Sequence, residues 1–217
     1  MIDLRLYALL DPERSSGATL ASLARAAVDG GATLVQLRDK LGSTRRLVAQ
    51  ARELKAVLAP RSIPLLVNDR VDVALAAAAD GVHVGQDDME PADARRLLGP
   101  GAIIGLSVKT VAQAQAAPVE AVDYVCIGGV FATTSKHNPD PPVGVDGLRT
   151  ILGVIRGRAP RLPVGAIAGI DATNAAAVMA AGVDGIAVIS ALSLAPDVVA
   201  AARTLRGIVD ESLRAAR

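Results

Sequence analysis

"AVDGGATLVQLR", residues 27–38, decides the fold. It closes a helical pattern, passes through two glycines and opens a run of strand-forming residues. A glycine just past a helix takes the left-handed cap conformation without steric cost. Helix, glycine, strand is the αβ half of a βαβ unit. The same logic returns in "NAAAVMAAGVDG", residues 174–185, directly ahead of "GIAVIS".

Working outward, eight strand candidates appear: residues 4–10, 33–38, 63–68, 81–86, 102–107, 123–129, 163–169 and 185–190. The segments between them are rich in alanine and carry helical periodicity. "TLASLARAAVDGG" places Leu20, Leu23, Ala24 and Ala27 on one face, and "TRRLVAQARELKAVLA" does the same with Leu47, Ala51, Leu54 and Leu58. Eight strands alternating with helices in 217 residues predict an α/β fold, a single-domain (β/α)8 TIM barrel spanning residues 1–217. The rival is a doubly wound open sheet. It often has a glycine-rich turn after its first strand, whereas here "LLDPERSSG" follows. The proline-rich 137–144 lies inside the pattern and reads as a loop, of a length and kind often used as a lid.

Composition narrows the function. Hydrophobic residues make up 51% and aromatics 1%, so the core is built from Ala, Val, Leu and Ile, with little to stack on bases. The formal net charge is +1 and the basic residues are scattered, which argues against a nucleic-acid partner but not against a small anion site. The lone Cys126 excludes an intramolecular disulfide framework and cysteine-rich zinc sites, and reads as a buried small residue. The N-terminal segment carries Asp3 and Arg5 and resembles neither a secretory signal nor a membrane anchor, so no membrane partner and a cytoplasmic location are expected.

In a barrel, the residues that follow each strand meet at one rim, where active sites are built. After the second strand, Gln36, Arg38 and Lys40 are spaced by two and so are expected to share a face suited to an anion. After the third and fourth strands come Asn68-Asp69 and Asp87-Asp88. These acids read either as helix caps or, being on neighbouring strands, as a carboxylate pair for Mg²⁺. His83 reads as a buried, hydrogen-bonded structural residue. Ser107 ends the fifth strand with Lys109 beyond it, and Thr133, Thr134, Ser135 and Lys136 crowd hydroxyls beside an ammonium after the sixth. Gly169, Ile189 and Ser190 follow the last two strands, where barrels preferentially bind phosphate. Two anion zones on one rim predict a reaction between a diphosphate and a phosphorylated partner.

In order and spacing, "QLRDK", "VNDR", "GVHVGQDD", "GLSVKT", "YVCIGGVFATTSK" and "GIAVISAL" resemble the thiamine phosphate synthase family over essentially the whole chain. The resemblance implies a transferase of thiamine biosynthesis. It joins 4-amino-5-hydroxymethyl-2-methylpyrimidine diphosphate to thiazole phosphate, or its carboxylated form, with Mg²⁺ and release of pyrophosphate. It implies that Gln36, Arg38, Lys40 and Asn68 contact the pyrimidine diphosphate and that Asp69 and Asp88 ligate Mg²⁺. Ser107 and Lys136 would contact the diphosphate or pyrimidine as the bond breaks, with Arg38 and Lys40 stabilising the leaving group. Thr133 and Ser135 would bind the thiazole phosphate, with Gly169, Ile189 and Ser190 completing its cradle. Two positions depart from the family pattern: Ser135 replaces a threonine, and Ala168 replaces the first glycine of a Gly-Gly-Ile turn. A thiazole tautomerase of similar fold is the nearest rival and does not need the diphosphate and Mg²⁺ residues. A non-catalytic phosphate-binding barrel is the other. The sequence leaves the oligomeric state, including a homo-oligomer, open.

Overall fold

The structure, a computed structural model, describes residues 2–135 and 141–216. Eight parallel strands close into a barrel in sequence order. They are β1 (Leu6–Leu10), β2 (Leu34–Leu37), β3 (Leu65–Asn68), β4 (Gly81–Val84), β5 (Ile103–Val108), β6 (Tyr124–Ile127), β7 (Val164–Ile167) and β8 (Gly185–Val188). All eight expected strands are present. Five of the eight end short of the expected boundary, where the chain leaves the ladder to form the rim.

The helices that cover the barrel include α1 (Leu20–Asp29), α2 (Thr44–Leu58), α3 (Val71–Ala77), α4 (Pro91–Leu98), α5 (Val111–Ala116), α6 (Gly144–Arg158), α7 (Ala175–Met179), α8 (Ser190–Ser193) and α9 (Val198–Ala215). The expected apolar faces of α1 and α2 are buried. Gly31 and Gly182, the glycines that open the αβ turns, have φ +106° and +99°.

Alternation along each strand separates two cores. Leu6, Ala8, Val35, Leu37, Leu65 and Val67 pack outward against the helices. Tyr7, Leu9, Leu34, Leu66, Tyr124, Cys126 and Ala187 fill the barrel interior. Because helices cover the outside and side chains the inside, both faces of the strands are apolar. Room for two tyrosines inside the barrel comes from missing side chains. A Cβ on Gly105 would sit 2.2–2.5 Å from ring and hydroxyl atoms of Tyr124. Cys126 is buried as expected, and burial pushes its thiol up to about 12.

The two rims use acids differently. At the N-terminal rim, Asp80, Asp123 and Asp184 each precede a strand and accept the N–H of a neighbouring strand: Leu65 at 2.8 Å, Ile104 at 2.7 Å and Val164 at 2.7 Å. Each also pairs with a cation from a helix, namely Lys55, Arg95 and Arg156. Those acids serve the closure of the barrel. No helix among the described residues is long and apolar enough to cross a membrane.

Candidate active site

At the C-terminal rim a cavity of about 390 Å³ opens above the buried tyrosines. Gln36, Arg38, Asn68, Ser107, Thr133, Ser135, Gly169, Ile189 and Ser190 all line it. Residues from six strand ends, spread over more than 150 positions of sequence, therefore share one chamber.

The β2 end supplies the first wall. Gln36 points into the barrel, where its Nε2 donates to the Tyr7 hydroxyl. Its Oε1 is buried with no hydrogen-bond partner among the described residues. Arg38 lies just beyond the strand, and its guanidinium pairs with Asp11 after β1. Lys40 departs from the expected alternation. It lies past the end of β2, does not line the cavity, and places its ammonium on Asp69. The strand period no longer governs Lys40, so spacing by two did not aim it with Gln36 and Arg38.

The acids after β3 and β4 do not cap the helices that follow. Neither α3 nor α4 has a side-chain hydrogen bond at its N-cap. Asp69 instead turns the chain at φ +62°, a conformation Asp tolerates better than most residues, and its N–H donates to the His83 carbonyl at 2.9 Å. Asp88 lies four residues beyond β4, in a turn where its Oδ2 accepts from Gly85 N at 2.8 Å. Burial raises the Asp69 carboxyl above its ordinary range; the Lys40 ammonium pulls it down, and the Asp88 carboxyl beside it pushes it up again. Two carboxyl groups close enough to disfavour each other's charge are a fit for a divalent cation. Among the described residues no cluster of three His, Cys, Asp or Glu could hold a metal. A pair suffices for Mg²⁺, which usually takes one or two carboxylates and completes its shell with water and phosphate oxygens.

The floor joins β4, β5 and β6. His83 is buried and hydrogen-bonded, as expected, yet it also lines the cavity. Its Nδ1 lies 2.7 Å from the Tyr124 hydroxyl and its Nε2 2.8 Å from Ser107 Oγ. Gln86 Nε2 donates to the Ser107 carbonyl at 2.7 Å, which ties the β4 loop to β5.

The far wall is made by the chain after β6 lying on the chain after β7. Val130 N and Phe131 N donate to the carbonyls of Ile167 (3.2 Å) and Ala168 (3.0 Å). Ser135 N donates to Thr133 Oγ1 at 3.1 Å, so the serine that replaces threonine sits in an ordered turn. Gly169 has φ +65°, and a Cβ there would lie 2.5 Å from the Ala132 carbonyl oxygen. Asn174 Nδ2 donates to the Gly169 carbonyl at 2.9 Å and fixes that peptide. Thr133, Gly169 and Ser190 also line an adjoining outer groove. Lys136 and residues 137–140, the first half of the expected lid, lie outside the described residues.

Ala168 holds φ +97°, which only glycine adopts freely. Replacing it with the glycine of the family pattern should relieve about 1 kcal/mol of strain and raise the calorimetric midpoint by about 2–4 °C. An unchanged or lower midpoint would show that the turn is unstrained.

Some contributors were given no role by sequence reasoning. Asp11 follows β1 by the same rim logic, but nothing local links it to Arg38, 27 positions away. Asp87, which the sequence places after the fourth strand but gives no role, lines the cavity. Tyr7 and Tyr124 sit in strand runs that showed no sign that their hydroxyls would meet.

Residues 6–192 match the family described as thiamine monophosphate synthase. The chain belongs to this family. It is 50% identical to the thiamine-phosphate synthase of Agrobacterium fabrum, covering 99% of this chain and 97% of that protein. With the thiamine-phosphate synthase of Chloroflexus aurantiacus it shares 48% identity over 96% and 94% of the two chains. The solved structure of thiamine phosphate pyrophosphorylase from Pyrococcus furiosus superposes with a TM-score of 0.84 at 38% identity, covering 98% of each chain.

Proposed function

We propose that this chain is the transferase that joins 4-amino-5-hydroxymethyl-2-methylpyrimidine diphosphate to thiazole phosphate, or its carboxylated form, in thiamine biosynthesis. The observation that carries the reading is the single cavity whose opposite walls bear Gln36, Arg38 and Ser107 on one side and Thr133, Gly169 and Ser190 on the other. Relatives that match this chain nearly end to end carry the name of that enzyme.

The reaction needs no protein nucleophile. The C–O bond to the diphosphate breaks with its electron pair leaving on pyrophosphate. The electron-rich aminopyrimidine stabilises the methylene cation, and the thiazole nitrogen then forms the new C–N bond. Arg38 and Lys40 stabilise the charge that develops on the leaving group, with Lys136 as a third cation by the family resemblance. Asn68 and Gln36 hold the pyrimidine end. Asp69 and Asp88 would hold Mg²⁺, which when bound neutralises diphosphate oxygens. Thr133, Ser135, Gly169, Ile189 and Ser190 hold the thiazole phosphate, and holding the two rings together removes much of the entropic barrier. The acids that pair with Arg38 and Lys40 keep these long side chains in place before the diphosphate arrives. A cytoplasmic location suits such small-molecule chemistry.

With both substrates and Mg²⁺, pyrophosphate and thiamine phosphate should appear in equal amounts, and omitting either substrate should abolish both. No pyrophosphate would mean a binding protein, and isomerised thiazole without pyrophosphate would mean a tautomerase.

A further inference from the structure

A chain of hydrogen bonds runs through the barrel interior beneath the cavity. Gln36 Nε2 meets the Tyr7 hydroxyl, which lies 2.9 Å from the Tyr124 hydroxyl. Tyr124 lies 2.7 Å from His83 Nδ1, and His83 Nε2 lies 2.8 Å from Ser107 Oγ. The links come from β2, β1, β6, β4 and β5, so the chain crosses five strands of the barrel.

The polarity of this chain follows from its first link. An amide nitrogen can only donate. Tyr7 therefore accepts from Gln36 and has its single proton for Tyr124. Tyr124 accepts that bond and gives its own proton to His83 Nδ1. A neutral imidazole that accepts at Nδ1 carries its proton on Nε2 and donates from there. Ser107 Oγ accepts this bond, and its own proton remains for the cavity. At the other end Gln36 Oε1 is a buried acceptor with no partner among the described residues. An unmet buried acceptor is costly, so a donor from the ligand is favoured there.

We propose that Tyr7, Tyr124 and His83 are positioning residues: they lock His83 as its Nε2–H tautomer and thereby present the cavity with an acceptor at Gln36 and a donor at Ser107. That pattern complements the aminopyrimidine edge, whose exocyclic amine donates and whose ring nitrogen accepts. The assignment rests on the proposed pyrimidine substrate, but the tautomer does not.

Nitrogen-15 NMR of histidine-labelled enzyme reads the tautomer directly. The chain has two histidines, so His83 is assigned against an H83Q variant. The free enzyme should show an unprotonated Nδ1 and a protonated Nε2. In Tyr124→Phe the single-tautomer signature should be lost, with a smaller change in Tyr7→Phe, where Tyr124 still donates. Kinetically, Tyr124→Phe should lower kcat/KM for the pyrimidine diphosphate about tenfold while leaving KM for thiazole phosphate within about twofold. A protonated Nδ1 in the wild type would reverse the chain and overturn the proposal, as would ring signals unchanged in Tyr124→Phe or equal losses for both substrates. The wild-type spectrum decides the polarity even should Tyr124→Phe not fold. Absent pyrophosphate release with the expected tautomer would fault the substrate reading instead.

Discussion

Replacing Asp69 and Asp88 together with alanine is expected to lower Mg²⁺-supported pyrophosphate release by about 10³-fold or more, the scale set by removing preorganised charge stabilisation from a transition state. The fold should survive. Neither carboxylate bonds the cap of α3 or α4, so no helix start depends on them. Asp69 sits at φ +62°, where alanine adds strain of about 1–2 kcal/mol. Asp69→Asn keeps a residue that tolerates this conformation, and comparing the two separates backbone strain from lost charge. Lys40 loses its acidic partner in the variant, so pyrophosphate should still bind while turnover fails. Steady-state kinetics beside calorimetric titration of pyrophosphate would read that split. Near-normal turnover in the double variant would remove the pair from the proposed Mg²⁺ site.

Gly169→Ala should be the most damaging conservative change on the opposite wall. The added Cβ would lie 2.5 Å from the Ala132 oxygen and 2.7 Å from Phe131 Cβ, on a backbone already at φ +65°. Overpacking and left-handed strain together should cost about 2–4 kcal/mol of stability, a fall in melting midpoint of about 5–10 °C. Because Thr133 and Ser190 share the same groove, KM for thiazole phosphate should rise about tenfold or more, with KM for the pyrimidine diphosphate little changed. Equal effects on both substrates would mean that the two anion zones are not separate. Calorimetry and paired KM measurements check both halves.

The contrast between residues 168 and 169 illustrates what sequence can carry. Both were singled out from the motif, but only coordinates reveal that Ala168 occupies φ +97° beside a glycine that backbone contacts enforce. The strands were legible because apolar side chains on both faces leave continuous runs, and the αβ glycines mark where each begins. Rim residues were legible as a set, since barrel topology alone brings strand ends together. Individual aim was not. Lys40 read as a second cation beside Arg38 on one face, and the structure places its ammonium on Asp69, an ion pair 29 positions apart. Asp69 and Asp88 resembled caps because capping preferences are local, whereas their mutual approach depends on the lateral pairing of β3 and β4. The Tyr7–Tyr124 contact spans 117 positions and rests on a hydroxyl pair inside an apolar core, so periodicity registers only the rings.

The central claim is that two anion zones on one barrel rim serve two different substrates. A crystal structure with Mg²⁺, pyrophosphate and thiamine phosphate tests it most directly. The account predicts metal density between Asp69 and Asp88, pyrophosphate against Arg38 and Lys40, and the product phosphate at Gly169 and Ser190. Metal bound away from both carboxylates, or both phosphate groups crowded onto one wall, would contradict it.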